Sequence, residues 1–371
     1  MGFFRPTVAE IHLDALRHNY HEIRRLLPPS VRIMAMVKAD AYGHGAVQIS
    51  RVLADLGAAA LGVATVEEGL ELRESAISAP ILVLGGLMGV GTAAAGMMVG
   101  ANLTPVVHSA EVLDFLEATA KAAGKKIGIH LKVDTGMTRL GVMPQALPHF
   151  LNRLKQCTAL RLDGVMTHLA NADEHEYTSF QLDTFKNCVK EVEKLIGSVP
   201  VWHIANSTAI IKGEFLTNAS AGEHWVRPGL ALYGSKPFKP VMTLKSKIAM
   251  IKSVPPGTKI SYGCTFETKR TSRIGVVPIG YADGYPWALS NRAEVIVCGK
   301  RVPVVGRVTM DMTMADLTDL AESHVGDEAV LMGAQGGECI LAEKIAELAG
   351  TIPYEIFCGI SKRMPRVYIS A

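Results

Sequence analysis

At 371 residues, 49% of them hydrophobic and 20% charged, the chain has ordinary globular chemistry and is long for one compact domain; disordered and fibrous classes are excluded and two domains are expected. Lys and Arg total 38 against 35 Asp and Glu, a formal net charge of +3, which argues against nucleic acid or an anionic membrane as partner but leaves room for a local anionic ligand such as a phosphate. The opening MGFFRPTVAEIHLD has no apolar core followed by a small-residue cleavage site, and no run of about 20 apolar residues is free of charge or proline, so neither a secretory signal nor a membrane span is expected. Six cysteines, at 157, 188, 264, 298, 339 and 358, show no CxxC or CxxH spacing. They suit a reduced, cytoplasmic protein with no zinc site and no disulfide framework.

Taken in chain order, short β-like runs alternate with helical patterns. VRIMAMV (31–37) is followed by a helix over 44–56, and AALGVAT (59–65) by a helix over 67–75. PILVLGG (80–86) precedes a small-residue segment at 89–99. LTPVVHS (103–109) leads into a helix over 110–122, where Val112, Leu113 and Leu116 share a face. IGIHLKVDTG (127–136), LDGVMTHLA (162–170), VWHIANS (201–207) and VRPGLALYG (226–234) complete eight runs. The segment 174–196 is amphipathic, with Phe185, Val189, Val192 and Leu195 on one side. Eight such runs separated by helices are what a (β/α)8 TIM barrel requires, here over 1–238; periodicity alone does not separate it from a doubly wound open sheet.

After about Lys239 the texture changes to short Val- and Ile-rich runs with Gly and Pro turns: KSKIAMIKSV, RIGVVPIG, AEVIVCG, RVPVVGRV and EAVLMG. This predicts a mostly β C-terminal domain over 239–371, with a single helix at 341–350. KPFKPVM (236–242) suits a linker, and the first residues of the chain are candidates to pair with the β domain.

Lys38 follows directly on the first predicted strand, which in a barrel puts it at the C-terminal rim where active sites lie. A lysine there can form a Schiff base with a carbonyl compound, although by position alone it reads first as a solvated strand-end residue. Its surroundings are more informative. AMVKADAYGHG gathers Lys38, Tyr42, His44 and two glycines, and it resembles the cofactor-lysine motif of alanine racemases. KVDTGMTRLG (132–141) resembles that family's arginine motif and MTHLANAD (166–173) its histidine motif. HIANS (203–207), VRPGLALYG, ISYG (260–263), GYADGYP (280–286) and GRVTMD (306–311) fit in the same order. The resemblance runs from about residue 5 to the last strand, and eight strings in register leave chance negligible.

The resemblance implies a fold-type III pyridoxal-phosphate enzyme interconverting L- and D-alanine, supplying D-alanine for bacterial cell-wall peptidoglycan. It makes Lys38 both the residue that binds pyridoxal 5'-phosphate covalently and one catalytic base, with Tyr262 the second base on the opposite face of the substrate. A tyrosine hydroxyl, with an ordinary pKa near 10, needs cationic neighbours for that task, and the family's arrangement runs from the tyrosine through His168 to Arg227. Arg227 matches the contact to the pyridine nitrogen; because Arg stays protonated, that nitrogen stays unprotonated and side reactions such as transamination are limited. Taken alone, Tyr262 reads as a surface tyrosine and His168 as a satisfied strand-end histidine.

Phosphate binding in barrels favours the loops after strands seven and eight, which hold Ser207, Gly229 and Leu230, and Tyr42 fits as a further donor. By the same resemblance Arg139 meets the substrate carboxylate and the cofactor's ring oxygen, Met310 offers a backbone N–H to the carboxylate, and Tyr281 lines the entrance. Lys132 corresponds to a lysine that is carbamylated in several relatives; an ordinary barrel lysine is the other reading. One position departs from the pattern. Where family members often place a phosphate-contacting tyrosine, ISKRMPR has Lys362, which either meets the phosphate as a point charge or faces solvent.

Alanine is the expected substrate because small residues and tyrosines crowd the entrance, with serine or a larger amino acid as alternatives. The family also implies a homodimer whose sites take the lysine from one chain and the tyrosine from the other. A barrel-only pyridoxal-phosphate carrier would lack residues 240–371. A decarboxylase would carry a cysteine–aspartate motif and a glycine-rich phosphate loop, neither of which is found. A Schiff-base aldolase would be active without cofactor, and a binding protein would show neither chromophore nor turnover.

Overall fold

A computed structural model describes residues 4–88, 91–214, 222–234 and 236–370. The chain forms two compact units, one of Asn19–Ala41 and Ala46–Leu232, the other of Met1–His18, Tyr42–Gly45 and Tyr233–Ala371. The opening strand β1 (Val8–His12) belongs to the second of these.

In the first unit, eight parallel strands close into a barrel. They are β2 (Val31–Met36), β3 (Ala60–Val63), β4 (Ile81–Val83), β5 (Thr104–Val107), β6 (Ile127–Lys132), β7 (Leu160–Met166), β8 (Val201–His203) and β9 (Glu223–Val226), with β9 pairing back onto β2. The predicted (β/α)8 architecture is therefore present, and the open sheet is ruled out by closure. Strands such as β3 are buried along their whole length, as parallel strands covered by helices must be. The helices Ala46–Asp55, Val66–Glu74, Ala110–Ala122 and His175–Ile196 lie within a residue or two of the expected limits. Thr65 caps the second of them in a capping box with Glu68. Of the segment 89–99, residues 89 and 90 lie outside the described residues and Gly91–Gly100 is helical.

Three expectations need correction here. The eighth strand is Glu223–Val226 and not 226–234: of VRPGLALYG only Val226 is strand, and Leu230–Tyr233 is a helical turn whose Leu232 N–H bonds the Gly229 carbonyl at 2.9 Å. The helix expected from residue 44 begins at Ala46, because the chain before it turns in the opposite hand. A helix not singled out in the sequence also forms at Leu147–Leu154, burying Leu147, Phe150, Leu151 and Leu154 at helical spacing.

In the other unit, β10 (Met242–Lys247) runs antiparallel to β1 on one side and to Glu328–Gln335 on the other, while Arg366–Ile369 lies parallel to β1. Glu294–Val297 and Lys300–Pro303 extend this sheet beyond Glu328–Gln335. Met250–Val254, Ser272–Val277 and Thr313–Asp316 form a second, antiparallel sheet. β10 alternates buried Met242, Leu244 and Ser246 with half-covered residues, the period of a one-face-buried strand. The unit is mostly β, as expected, but among the described residues after 239 it holds two α-helices rather than one: Ala342–Ala349 and Pro353–Gly359, the latter opened by a proline at its first position. KSKIAMIKSV is broken into two strands at Ile248 and Ala249, and RVPVVGRV is strand only to Pro303. Among the described residues no helix is long and apolar enough to cross a membrane.

Candidate active site

Lys38 sits two residues past the end of β2, at the C-terminal rim of the barrel. The turn that begins with it is left-handed: Ala39, Asp40, Ala41 and Tyr42 have φ of 52, 53, 52 and 55°, followed by Gly43 at 77°. At ~1–2 kcal/mol for each L-residue, four in succession cost several kcal/mol, so the surroundings must hold the turn. Glu68 does part of this. Its Oε1 accepts the Ala39 N–H at 2.7 Å and its Oε2 the Ala64 N–H at 2.6 Å, while Asp40 accepts the Ala46 N–H at 2.7 Å.

The ends of the other barrel strands bring further charges together. Lys132 ends β6, His168 lies two residues past β7, and Arg227 follows β9 directly. Arg227 is buried, and burial pushes its pKa down to about 9, which still leaves it cationic at neutral pH. It donates from Nη1 to His203 Nδ1 at 3.0 Å and from Nη2 to His168 Nδ1 at 3.1 Å, the Thr167 carbonyl at 2.7 Å and the Ile204 carbonyl at 2.8 Å; none of these contacts uses Nε. Burial, then the charges of Arg139 and Arg227, push Lys132 down to about 8, with Lys38 adding to the effect and Asp134 opposing it. His168 is held well below its ordinary value by burial and then by Arg227, Arg139, Lys132 and Lys38. Four cations thus bear on His168 at this rim.

The carboxylate that opposes these charges at Lys132 is Asp134. Asp134 is occupied by four main-chain N–H groups, from Gly136, Met137, Thr138 and Arg139, at 2.9–3.1 Å. Beyond β8 and β9, the Ser207 oxygen accepts the N–H of Gly229 at 2.9 Å and of Ala231 at 3.2 Å, which leaves its own hydrogen to donate. Leu230 begins the helical turn beside it. An amine, an excess of buried positive charge and a hydroxyl among main-chain donors fit a carbonyl compound that carries a phosphate.

The remaining candidates belong to the other unit. Tyr42 is buried, its ring 4.9 Å from that of Tyr233 and 5.8 Å from that of Tyr354. Tyr262, Tyr281 and Met310 are exposed, at 72%, 45% and 52%. Two of them share a loop pair: the Tyr281 N–H bonds the Thr309 carbonyl and the Ala282 N–H the Met310 carbonyl, each at 3.0 Å. Gly280 permits that approach, since a Cβ there would lie 2.1 Å from the Thr309 oxygen. Tyr262 rides on the turn after Ser261, whose hydroxyl donates to the Arg307 carbonyl at 2.7 Å. Lys362 is exposed.

Sequence reasoning assigned no role to His203 or His130, yet both are fully buried in the barrel interior. The signal available was strand periodicity: His130 lies two positions before Lys132 and so faces the same way. Glu68 was missed because its task is a main-chain contact 29 positions away.

Comparison with known proteins decides the family. The family described as "Alanine racemase, N-terminal domain" matches residues 11–237, and "Alanine racemase, C-terminal domain" matches residues 241–368. The chain belongs to the alanine racemase family. The alanine racemase of Halothermothrix orenii is 44% identical over 98% of this chain and 97% of its own length, and that of Geobacter sulfurreducens 44% identical over 99% and 98%. Among solved structures, the alanine racemase of Clostridium difficile matches with a TM-score of 0.91 at 37% identity, over all of this chain and 97% of that one. The Bacillus anthracis alanine racemase, solved with bound L-Ala-P, gives 0.91 and 37% over all of this chain and 96% of that one.

Proposed function

We propose that this chain interconverts L- and D-alanine with pyridoxal 5'-phosphate, supplying D-alanine for bacterial cell-wall peptidoglycan in the cytoplasm. The observation that carries this reading is the amine of Lys38 set among Lys132, Arg139 and Arg227, with one carboxylate already engaged by main chain. When bound, pyridoxal phosphate supplies an electron-withdrawing ring that acidifies the α-hydrogen of an amino acid joined to it.

The chain's own residues supply the rest. Lys38 would hold the cofactor covalently, Ser207 with the main chain at Gly229 and Leu230 would receive its phosphate, and Tyr42 would add a hydroxyl. Arg227, an obligate donor, would meet the ring nitrogen and keep it unprotonated. Arg139 and the Met310 N–H orient the substrate carboxylate, and Tyr281 narrows the entrance. The Lys38 amine takes or returns the α-proton on one face, and the Tyr262 hydroxyl does so on the other, in a homodimer where the tyrosine comes from the partner subunit. The exposure of Tyr262, Tyr281, Trp287, Met310 and Met312, all more than 40%, supports a surface meant to be covered. The purified, cofactor-loaded protein should racemise alanine faster than any other member of an amino-acid panel. Borohydride reduction should fix the pyridoxyl group to Lys38 on peptide mapping. Label on another lysine, or no racemisation, would overturn this reading.

Lys132, with its pKa down to about 8, is substantially a neutral amine at mildly alkaline pH, the form that adds carbon dioxide with loss of a proton. The resulting carbamate would face the Arg139 and Arg227 charges that now oppose the ammonium. A carbonyl signal from [13C]bicarbonate that disappears in Lys132→Ala is the expected result; a signal of equal strength in the variant would show that Lys132 is not the site.

A further inference from the structure

The interior of a (β/α)8 barrel is ordinarily filled by branched aliphatic side chains. In this one, two imidazoles and an indole gather next to Arg227. His203 on β8 and His130 on β6 face each other with ring centroids 5.1 Å apart, and Trp225 on β9 lies 6.0 Å from His130 and 6.3 Å from His203. Both histidines are buried, and placing such polar rings in a core is unfavourable unless their nitrogens are satisfied.

The hydrogen bonds are directional. A guanidinium can donate but not accept, so Arg227 Nη1, 3.0 Å from His203 Nδ1, makes that nitrogen an acceptor. The proton of a neutral His203 ring is then on Nε2, which lies 2.8 Å from His130 Nδ1 and donates to it. His130 in turn keeps its proton on Nε2. The fold makes room for this second ring: a Cβ on Gly164 of β7 would lie 2.3 Å from His130 Nδ1 and 2.4 Å from its Cε1. The same guanidinium fixes His168 Nδ1 as an acceptor through Nη2 at 3.1 Å.

We propose that His203 and His130 are positioning residues for Arg227, a buried two-ring chain that holds the guanidinium in one orientation and thereby sets the tautomer of His168. Without His130 accepting its proton, His203 can adopt the other tautomer, which points a hydrogen at Arg227 and repels it. Arg227 then turns away from its contact with His168. The proposal rests on the cofactor-dependent racemase reading for its functional consequence, while the tautomer chain stands on this chain's own atoms.

The test uses full-length protein with its histidine rings labelled with 15N, with and without pyridoxal phosphate. Wild type should show His203 and His130 as neutral Nε2–H tautomers in both forms. His130→Leu should shift the His203 ring-nitrogen signals and lower kcat by about tenfold to a hundredfold with KM little changed. His130→Gln, which retains an acceptor oxygen, should recover most of that loss. If the Leu variant fails to fold, Gly164→Ala displaces the same ring and carries the same expectation. An unchanged His203 tautomer and kcat in a folded His130→Leu or Gly164→Ala protein would overturn the proposal, as would a Gln variant no better than Leu. Wild type that binds no pyridoxal phosphate would defeat the racemase reading instead, and the ring-nitrogen shifts of the cofactor-free protein would still decide the chain.

Discussion

Lys38→Ala and Tyr262→Phe chains, each inactive alone, should recover roughly a quarter of wild-type racemisation when mixed and allowed to exchange subunits. Each substitution removes one of the two proposed proton-transfer groups and should lower activity by ~10³-fold in its own homodimer. If a site draws Lys38 from one chain and Tyr262 from the other, a mixed dimer gathers both lesions into one site and leaves the second intact. Random exchange makes about half the dimers mixed, each with one working site of two. If each chain completed its own site, every site in the mixture would keep one lesion. The exposed edge that carries Tyr262, Tyr281 and Met310 is the surface on which this expectation rests. Mass spectrometry of differently tagged chains checks the exchange; confirmed mixing with no recovered activity would sink the shared site.

Mild acid should destabilise this protein far more than its surface composition suggests. Burial pushes His130 and His224 down to about 4 and His203 and His168 well below their ordinary range, with the Arg227 charge adding to the shift in each. Asp163 opposes it at His130, while Arg139, Lys132 and Lys38 reinforce it at His168. These rings stay neutral in the fold, whereas in the unfolded chain they bind a proton near pH 6.5. Below that pH the unfolded state takes up protons the native state refuses, so stability falls as pH falls, by up to ~1.4 kcal/mol per pH unit for each histidine. His130 alone accounts for about 3 kcal/mol between pH 6.5 and 4, a large share of the 5–15 kcal/mol typical of a native protein. The melting temperature should drop by about 10 °C or more between pH 7 and pH 5, and His130→Leu should show a shallower decline. A melting temperature constant across that range would show that the rings are not buried in neutral form.

Much of the barrel was legible because parallel strands covered on both faces read as apolar runs, and VRIMAMV and AALGVAT are of that kind. The eighth strand was misplaced for the complementary reason. Glu223, His224 and Trp225 look like loop residues, yet Trp225 lies against the interior histidines while His224 stacks on Trp202, and the apolar GLALY beyond them forms a helical turn. Lys38, Arg139, His168 and Arg227 were recognisable through the motifs around them, and the barrel sets them within reach of one another's charge. The supporting residues were not. The pairing of Arg5 with Asp283, at 2.6 Å across 278 positions, which braces the loop carrying Tyr281, leaves no local trace in either segment.

The position of β1 has a consequence for biosynthesis. Its residues are hydrogen-bonded on one side to Met242–Lys245 and on the other to Arg366–Ile369. A ribosome working at ~5–20 residues per second releases those two partners many seconds apart, and both of them long after β1 itself. Until both have emerged, β1 carries open edges, the kind of surface that holdase chaperones cover and that aggregation exploits. The sheet around β1 therefore closes only once Arg366–Ile369, a segment made far later in the chain, has left the ribosome.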